Sequence, residues 1–130
     1  MNFPSNLLYT KEHEWISVDG GKARIGVTDY AQSQLGDIVF VEVPEAGRRL
    51  KKQETFGVVE SVKTVSDIYS PVGGEVLSVN AGLEAAPELV NQSPYEKGWM
   101  IEIRIGDQGE LAGLLSAEAY RKYVEEEAGQ

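Results

Sequence analysis

Short β-rich runs punctuated by Gly, Pro and Asp fill most of this chain, and they restrict its fold more than any other feature. Trp15-Ile16-Ser17-Val18 and Lys22 to Val27 flank Asp19-Gly20-Gly21, a sequence suited to a hairpin turn. Asp37 to Val43 reads as a strand ended by Pro44 and Gly47, and Pro71-Val72-Gly73-Gly74 breaks the chain before Glu75 to Asn80. Trp99, Ile101, Ile103 and Ile105 alternate with Met100, Glu102 and Arg104, the pattern of a half-buried strand. Helical signals are few. Thr28 is a candidate N-cap for Asp29 to Leu35, with Gly36 just beyond its end. Gln108 to Leu115 and Ala117 to Glu127 are the other candidates, divided by Ser116 as a second N-cap. Tyr120, Tyr123 and Val124 share one face that should dock on a sheet, whereas Glu125, Glu126 and Glu127 oppose the helix dipole and should fray. The expected architecture is mainly β, a small sandwich or barrel-like domain over residues 1–130, with a C-terminal helical segment at about 108–127.

Composition removes several function classes. There is no cysteine, so disulfides, thiolate catalysis and Cys-based metal sites are excluded. A formal charge of −9 argues against nucleic acid or anionic lipid as partner and favours positively charged protein surfaces. No apolar run is long enough to span a membrane. Met1-Asn2-Phe3-Pro4 lacks the features of a signal peptide, and an Arg- and Ser-rich transit peptide is also missing, so a cytoplasmic protein is expected. The single histidine, in Glu12-His13-Glu14, lacks the ligand number and spacing of a typical zinc site. Gly20-Gly21 and Gly73-Gly74 read as turns, since neither sits in a phosphate-binding pattern. Trp15 and Trp99 read as core or near-core anchors rather than ligand stackers.

One stretch breaks a local rule. Val58 to Tyr69 is much longer than an ordinary strand of about 5–6 residues, yet it offers no Gly, Asn or Asp before Asp67. A turn at Val62-Lys63-Thr64 would place a lysine among β-branched residues at a hairpin tip. A long bent strand with a solvated lysine is the other possibility, and local sequence leaves both open. Conflicts between turn chemistry and fold are expected at functional sites. An exposed lysine amine can be acylated into a neutral amide. Glu60 and Asp67 would favour the charged amine, which argues against a Schiff-base catalyst and for a modification site.

Glu60-Ser61-Val62-Lys63, followed by Ser66-Asp67-Ile68-Tyr69-Ser70-Pro71-Val72-Gly73-Gly74-Glu75-Val76, resembles the lipoyl-attachment motif of glycine cleavage H-proteins. The resemblance extends over nearly the whole chain. Lys11 to Trp15, Ile25 to Gln32 and Leu35-Gly36-Asp37 are similar to the family's N-terminal half, and Ser93 to Met100 to its signature near the C-terminus.

This resemblance implies a barrel-sandwich hybrid, the lipoyl/biotinyl hammerhead fold, with lipoate in amide linkage to Lys63. It implies a non-catalytic shuttle. The arm would take an aminomethyl group from a pyridoxal-phosphate glycine decarboxylase (P-protein) and pass the one-carbon unit to tetrahydrofolate on an aminomethyltransferase (T-protein). Its dithiol would be reoxidised by the flavoenzyme dihydrolipoamide dehydrogenase (L-protein). A lipoate-attaching enzyme is a fourth implied partner, and the sulfurs belong to the cofactor. Glu14 and Asp67 match positions that hold the loaded arm, and each reads equally as a surface charge. Thr64-Val65 replaces the small residues usual after the lysine, and Gln34 stands where relatives can carry a histidine. A bacterial cytoplasmic protein is expected, or a mitochondrial one if the source is a eukaryote and the transit peptide is gone.

Two other classes remain. The same scaffold could serve as a relay in lipoate metabolism or as a biotin carrier, although biotin carriers usually place methionine beside the lysine and here Val62 and Thr64 flank it. An unmodified β-rich interaction module is the third class, and it predicts that Lys63→Arg leaves function intact.

Overall fold

A computed structural model describes residues 1–128. Among the described residues nine strands form two sheets. In chain order they are β1 (Leu8–Tyr9), β2 (Glu14–Asp19), β3 (Lys22–Val27), β4 (Ile38–Glu42), β5 (Arg49–Leu50), β6 (Thr55–Ser61), β7 (Val65–Tyr69), β8 (Gly74–Val79) and β9 (Ile101–Ile105). The larger sheet runs β1-β2-β3-β9-β8-β5 and the smaller β4-β6-β7, with every pairing antiparallel. Helix α1 (Asp29–Leu35) follows β3, the single turns α2 (Gly82–Ala85) and α3 (Leu89–Gln92) follow β8, and α4 (Ala117–Ala128) closes the described chain.

Local chemistry accounts for most of these limits. Gly20 takes φ +61° in the two-residue loop between Asp19 and Lys22, the left-handed backbone a tight hairpin needs. Thr28 Oγ1 accepts the Ala31 N–H to cap α1, and Ser116 Oγ accepts the Ala119 N–H to open α4. Gly73-Gly74 differs from the expected turn. Gly74 is the first residue of β8, where a Cβ would collide with the Arg104 carbonyl of β9, so close strand approach is what requires glycine there.

The core lies between the sheets. Ile16, Ile25, Val76, Ile101 and Ile103 of the larger sheet are buried with Val41, Val59 and Ile68 of the smaller. The first half of β2, Glu14 to Ile16, is buried on both faces, because Trp15 and Tyr9 join Phe3, Leu7, Tyr30, Tyr120 and Val124 in a second cluster on its far side. This cluster docks α4, with the Tyr9 and Tyr120 rings stacked at 4.7 Å.

The expected fraying of Glu125 to Glu127 is corrected: α4 continues to Ala128, and Glu127 Oε2 lies 3.3 Å from His13 Nε2. The alternation at Trp99 to Ile105 also needs correction at its start. Met100 is fully buried and Trp99 half-buried, because β9 begins only at Ile101 and the Met100 N–H turns inward to the Ile25 carbonyl. Gln108–Gly113 forms a 3-10 helix rather than an α-helix through Leu115. Among the described residues no helix is long and apolar enough to cross a membrane.

Candidate functional site

Lys63 stands at the tip of the β6–β7 hairpin, exposed. The bond between the Ser61 N–H and the Thr64 carbonyl, 2.8 Å, leaves Val62 and Lys63 as the connecting pair. None of the tip residues has positive φ. The reason is Ser61, whose hydroxyl oxygen accepts the N–H groups of both Lys63 and Thr64 at 3.1 Å. A serine side chain thus replaces the backbone turn that glycine or asparagine would have supplied. The Val62 N–H donates to the Asp37 carbonyl at 3.1 Å, which ties the tip to the segment entering β4. The signal that could have identified this turn was a serine two residues before the lysine.

The lysine stem lies over the end of α1. Gly36 has φ +81° and ψ −158°, a conformation essentially reserved for glycine, and a Cβ there would sit 3.3 Å from Lys63 Cε. From this end a groove of about 250 Å³ runs beside α1. Tyr30, Ala31, Gln34 and Leu35 form one wall at helical spacing, and Ser66 and Ile68 of β7 form the other. Its far end is polar, bounded by Glu12, His13 and Glu127. His13 is held there by Tyr120, whose hydroxyl is 2.8 Å from Nδ1 and 2.7 Å from Thr28 Oγ1. Sequence reasoning missed Glu127 as a groove residue, because only the docking of α4 brings it to His13. Among the described residues no cluster of ligands could hold a metal.

Glu14 and Asp67 are placed on different faces. Glu14 is 2% exposed and points between the sheets. Its Oε1 accepts from the Thr10 hydroxyl at 2.6 Å and its Oε2 from the Tyr69 N–H at 3.4 Å. Burial pushes its carboxyl up to about 7, against those two hydrogen bonds, which lower it. It does not line the groove itself, but its cross-strand partner Val27 does, as does Ile68 beside Tyr69. Asp67 pairs with Val58 on the outer, exposed face of the small sheet, opposite the side on which Ser66 and Ile68 meet the groove. A larger groove, about 600 Å³, lies near Trp15, Arg24, Tyr95 and Trp99 and includes no residue of the hairpin. There the Arg24 guanidinium stacks 4.5 Å from the Trp99 ring.

Comparison with known proteins gives a consistent picture. A family model described as glycine cleavage H-protein matches residues 7–127. The chain is 59% identical over 126 residues to the glycine cleavage system H protein of Halothermothrix orenii, covering 97% of this chain and 98% of that one. It is 57% identical, over 97% of its length and 100% of the relative's, to the corresponding protein of Oceanobacillus iheyensis. A crystal structure of a glycine cleavage system H protein from Mycobacterium marinum superposes with a TM-score of 0.84 at 34% identity, covering 98% of this chain and 99% of that one. Its barrel-sandwich architecture is the one described above for the two sheets and short helices.

Proposed function

Because this chain belongs to the glycine cleavage H-protein family, we propose that it is a lipoyl carrier whose Lys63 bears the cofactor in amide linkage. The observation that carries the reading is the tip itself, where an exposed lysine stands on a turn pinned by the Ser61 hydroxyl, at the mouth of a groove. Residues 1–130 then act as one non-catalytic carrier domain serving the decarboxylase, the aminomethyltransferase and dihydrolipoamide dehydrogenase of glycine cleavage. Its bacterial relatives favour a bacterial cytoplasmic setting.

The residues present suit such a group. When bound, lipoate would supply a disulfide ring that opens to take an aminomethyl unit on one sulfur and leaves the other as a thiol. Lys63 supplies the anchor, and its neighbours cannot move without breaking the hydrogen bonds to Ser61. The walls from α1 and β7 can shield an extended acyl chain from water, a condition that protects a hydrolysable cargo. The polar far end suits a cationic amine, with Glu12 and Glu127 facing it. Glu14 is proposed as the carboxylate behind the groove floor, where a neighbouring cation would favour its ionised form. Asp67 is proposed as the weaker contributor, acting on the arm only at long range from the outer face.

The test is a mass measurement after co-expression with a lipoate ligase in medium containing lipoate. A single lipoyl increment is expected on the peptide containing Lys63, lost entirely in Lys63→Arg. An unmodified lysine in the presence of a competent ligase and lipoate would overturn the proposal and leave an interaction module in its place.

A further inference from the structure

The backbone beside the lysine tip is held by a side chain from a distant part of the sequence. Gly36-Asp37-Ile38 joins α1 to β4, and the Asp37 carbonyl is the acceptor for the Val62 N–H. The amide of Asn91, on α3, closes on both sides of Asp37. Its Oδ1 accepts the Ile38 N–H at 2.9 Å, and its Nδ2 donates to the Gly36 carbonyl at 2.9 Å. Nδ2 also donates to Gln32 Oε1 of α1 at 3.0 Å. A reversed amide would set its oxygen against the Gly36 carbonyl and its NH2 against the Ile38 N–H, so one orientation is left. Val90, fully buried beside Asn91, fixes α3 on the core.

We propose that Asn91 is a positioning residue for the carrier lysine: its amide clamps Gly36 and Ile38 about Asp37, and so fixes both the anchor of the tip and the shelf under the lysyl stem. The inference rests on the carrier reading above. Two links run from the amide to Lys63. One passes through the Asp37 carbonyl to the Val62 N–H, and the other through Gly36, over which the stem lies. Gly36 has little restraint of its own, because it lacks a Cβ. Without the clamp the Gly36 carbonyl and the Ile38 N–H turn to water, and the junction gains freedom. The Ser61 hydroxyl still shapes the turn, so what changes is the direction of the stem and not the fold of the tip. A small rotation at the root of a long arm becomes a larger displacement at its end. Docking of the arm beside α1 therefore depends on the shelf.

Asn80 is the internal standard. Its Nδ2 donates to the Lys97 and Trp99 carbonyls, each at 2.8 Å, and it has no hydrogen bond to the β6–β7 hairpin. It is the same residue type tying another junction through two bonds to backbone.

The experiment compares wild type, Asn91→Asp, Asn91→Ala and Asn80→Ala. Hydrogen exchange is followed on the unmodified full-length chain. The lifetime of the aminomethyl group is followed on the lipoylated chain, loaded from glycine by a purified bacterial glycine decarboxylase. Asn91→Asp keeps the acceptor for Ile38 but sets an oxygen against the Gly36 carbonyl. In both Asn91 variants the Val62 amide is expected to exchange about tenfold faster, and the loaded arm to lose its one-carbon unit to water about threefold faster. Lipoylation of Lys63 should remain complete. Asn80→Ala should lower the melting temperature about as much as Asn91→Ala and change neither quantity. Wild-type values of both quantities in the Asn91 variants would overturn the inference and leave the carrier reading standing. Equal acceleration in Asn80→Ala would also overturn it, since general loosening would then explain the effect. A wild-type chain that accepts no lipoyl group from a competent ligase removes the carrier reading and the inference with it.

Discussion

Glu14 is the residue whose environment most departs from that of an ordinary carboxylate. Its folded-state value of about 7 lies above the ordinary 4.5, because burial outweighs the Thr10 and Tyr69 hydrogen bonds. A raised carboxyl binds its proton more tightly in the folded than in the unfolded chain. Its contribution to stability is therefore fully present below pH 4.5 and is lost as pH rises toward 7. The loss is at most about 3 kcal/mol across that window. Urea unfolding at a series of pH values is expected to show this decline in the wild type and a flatter profile in Glu14→Gln. Identical slopes would mean that the carboxyl is solvated rather than buried. The sequence marked Glu14 for interest but not for burial, since its partner Tyr69 is 55 residues away.

At the scale of the element, the β6–β7 hairpin depends on one hydroxyl. Ser61 Oγ is the acceptor for two tip N–H groups and stands 3.3 Å from the Thr64 carbonyl. Ser61→Ala leaves the N–H groups of the exposed residues Lys63 and Thr64 to water, a cost of about 1 kcal/mol. Hydrogen exchange should show the Lys63 and Thr64 amides losing protection, while the strand amides of Val58 and Val59 hold theirs. Protection unchanged at Lys63 and Thr64 would show that the backbone alone sets the turn. The turn was visible in the sequence as an over-long strand, and the β-branched residues around it obscured its type. The clamp by Asn91 was not visible, because it comes from α3, 53 residues beyond Ile38.

At the scale of the whole molecule, α4 joins the N-terminal segment, β2 and α1 into one unit. The Tyr120 hydroxyl lies between His13 Nδ1 and Thr28 Oγ1, the cap of α1, in a fully buried position. Tyr120→Phe preserves the ring stack on Tyr9 but leaves the histidine nitrogen and the threonine hydroxyl short of a partner. A loss of about 1–3 kcal/mol is expected, near 4 °C in melting temperature for each kcal/mol. Calorimetry checks the stability, and lipoate attachment at the distant hairpin tip should be unaffected. A variant as stable as the wild type would show that stacking, not hydrogen bonding, anchors α4.

Properties carried by neighbouring residues were legible in the chain alone. Thr28 and Gly36 delimit α1, Gly20 turns the first hairpin, and alternation over residues 22–27 and 101–105 marks strands. Lys63 stood out for the same reason, because its neighbours contradict their turn. These signals are local, since capping, φ preference and period depend on a few residues at a time. Only the tertiary structure decided that Glu14 is buried, that Asp67 faces outward, that Glu127 reaches His13, and that Asn91 holds the backbone beside the lysine. Each of these follows from strands and helices brought together across tens of residues, where burial and register are set by partners that no local pattern names.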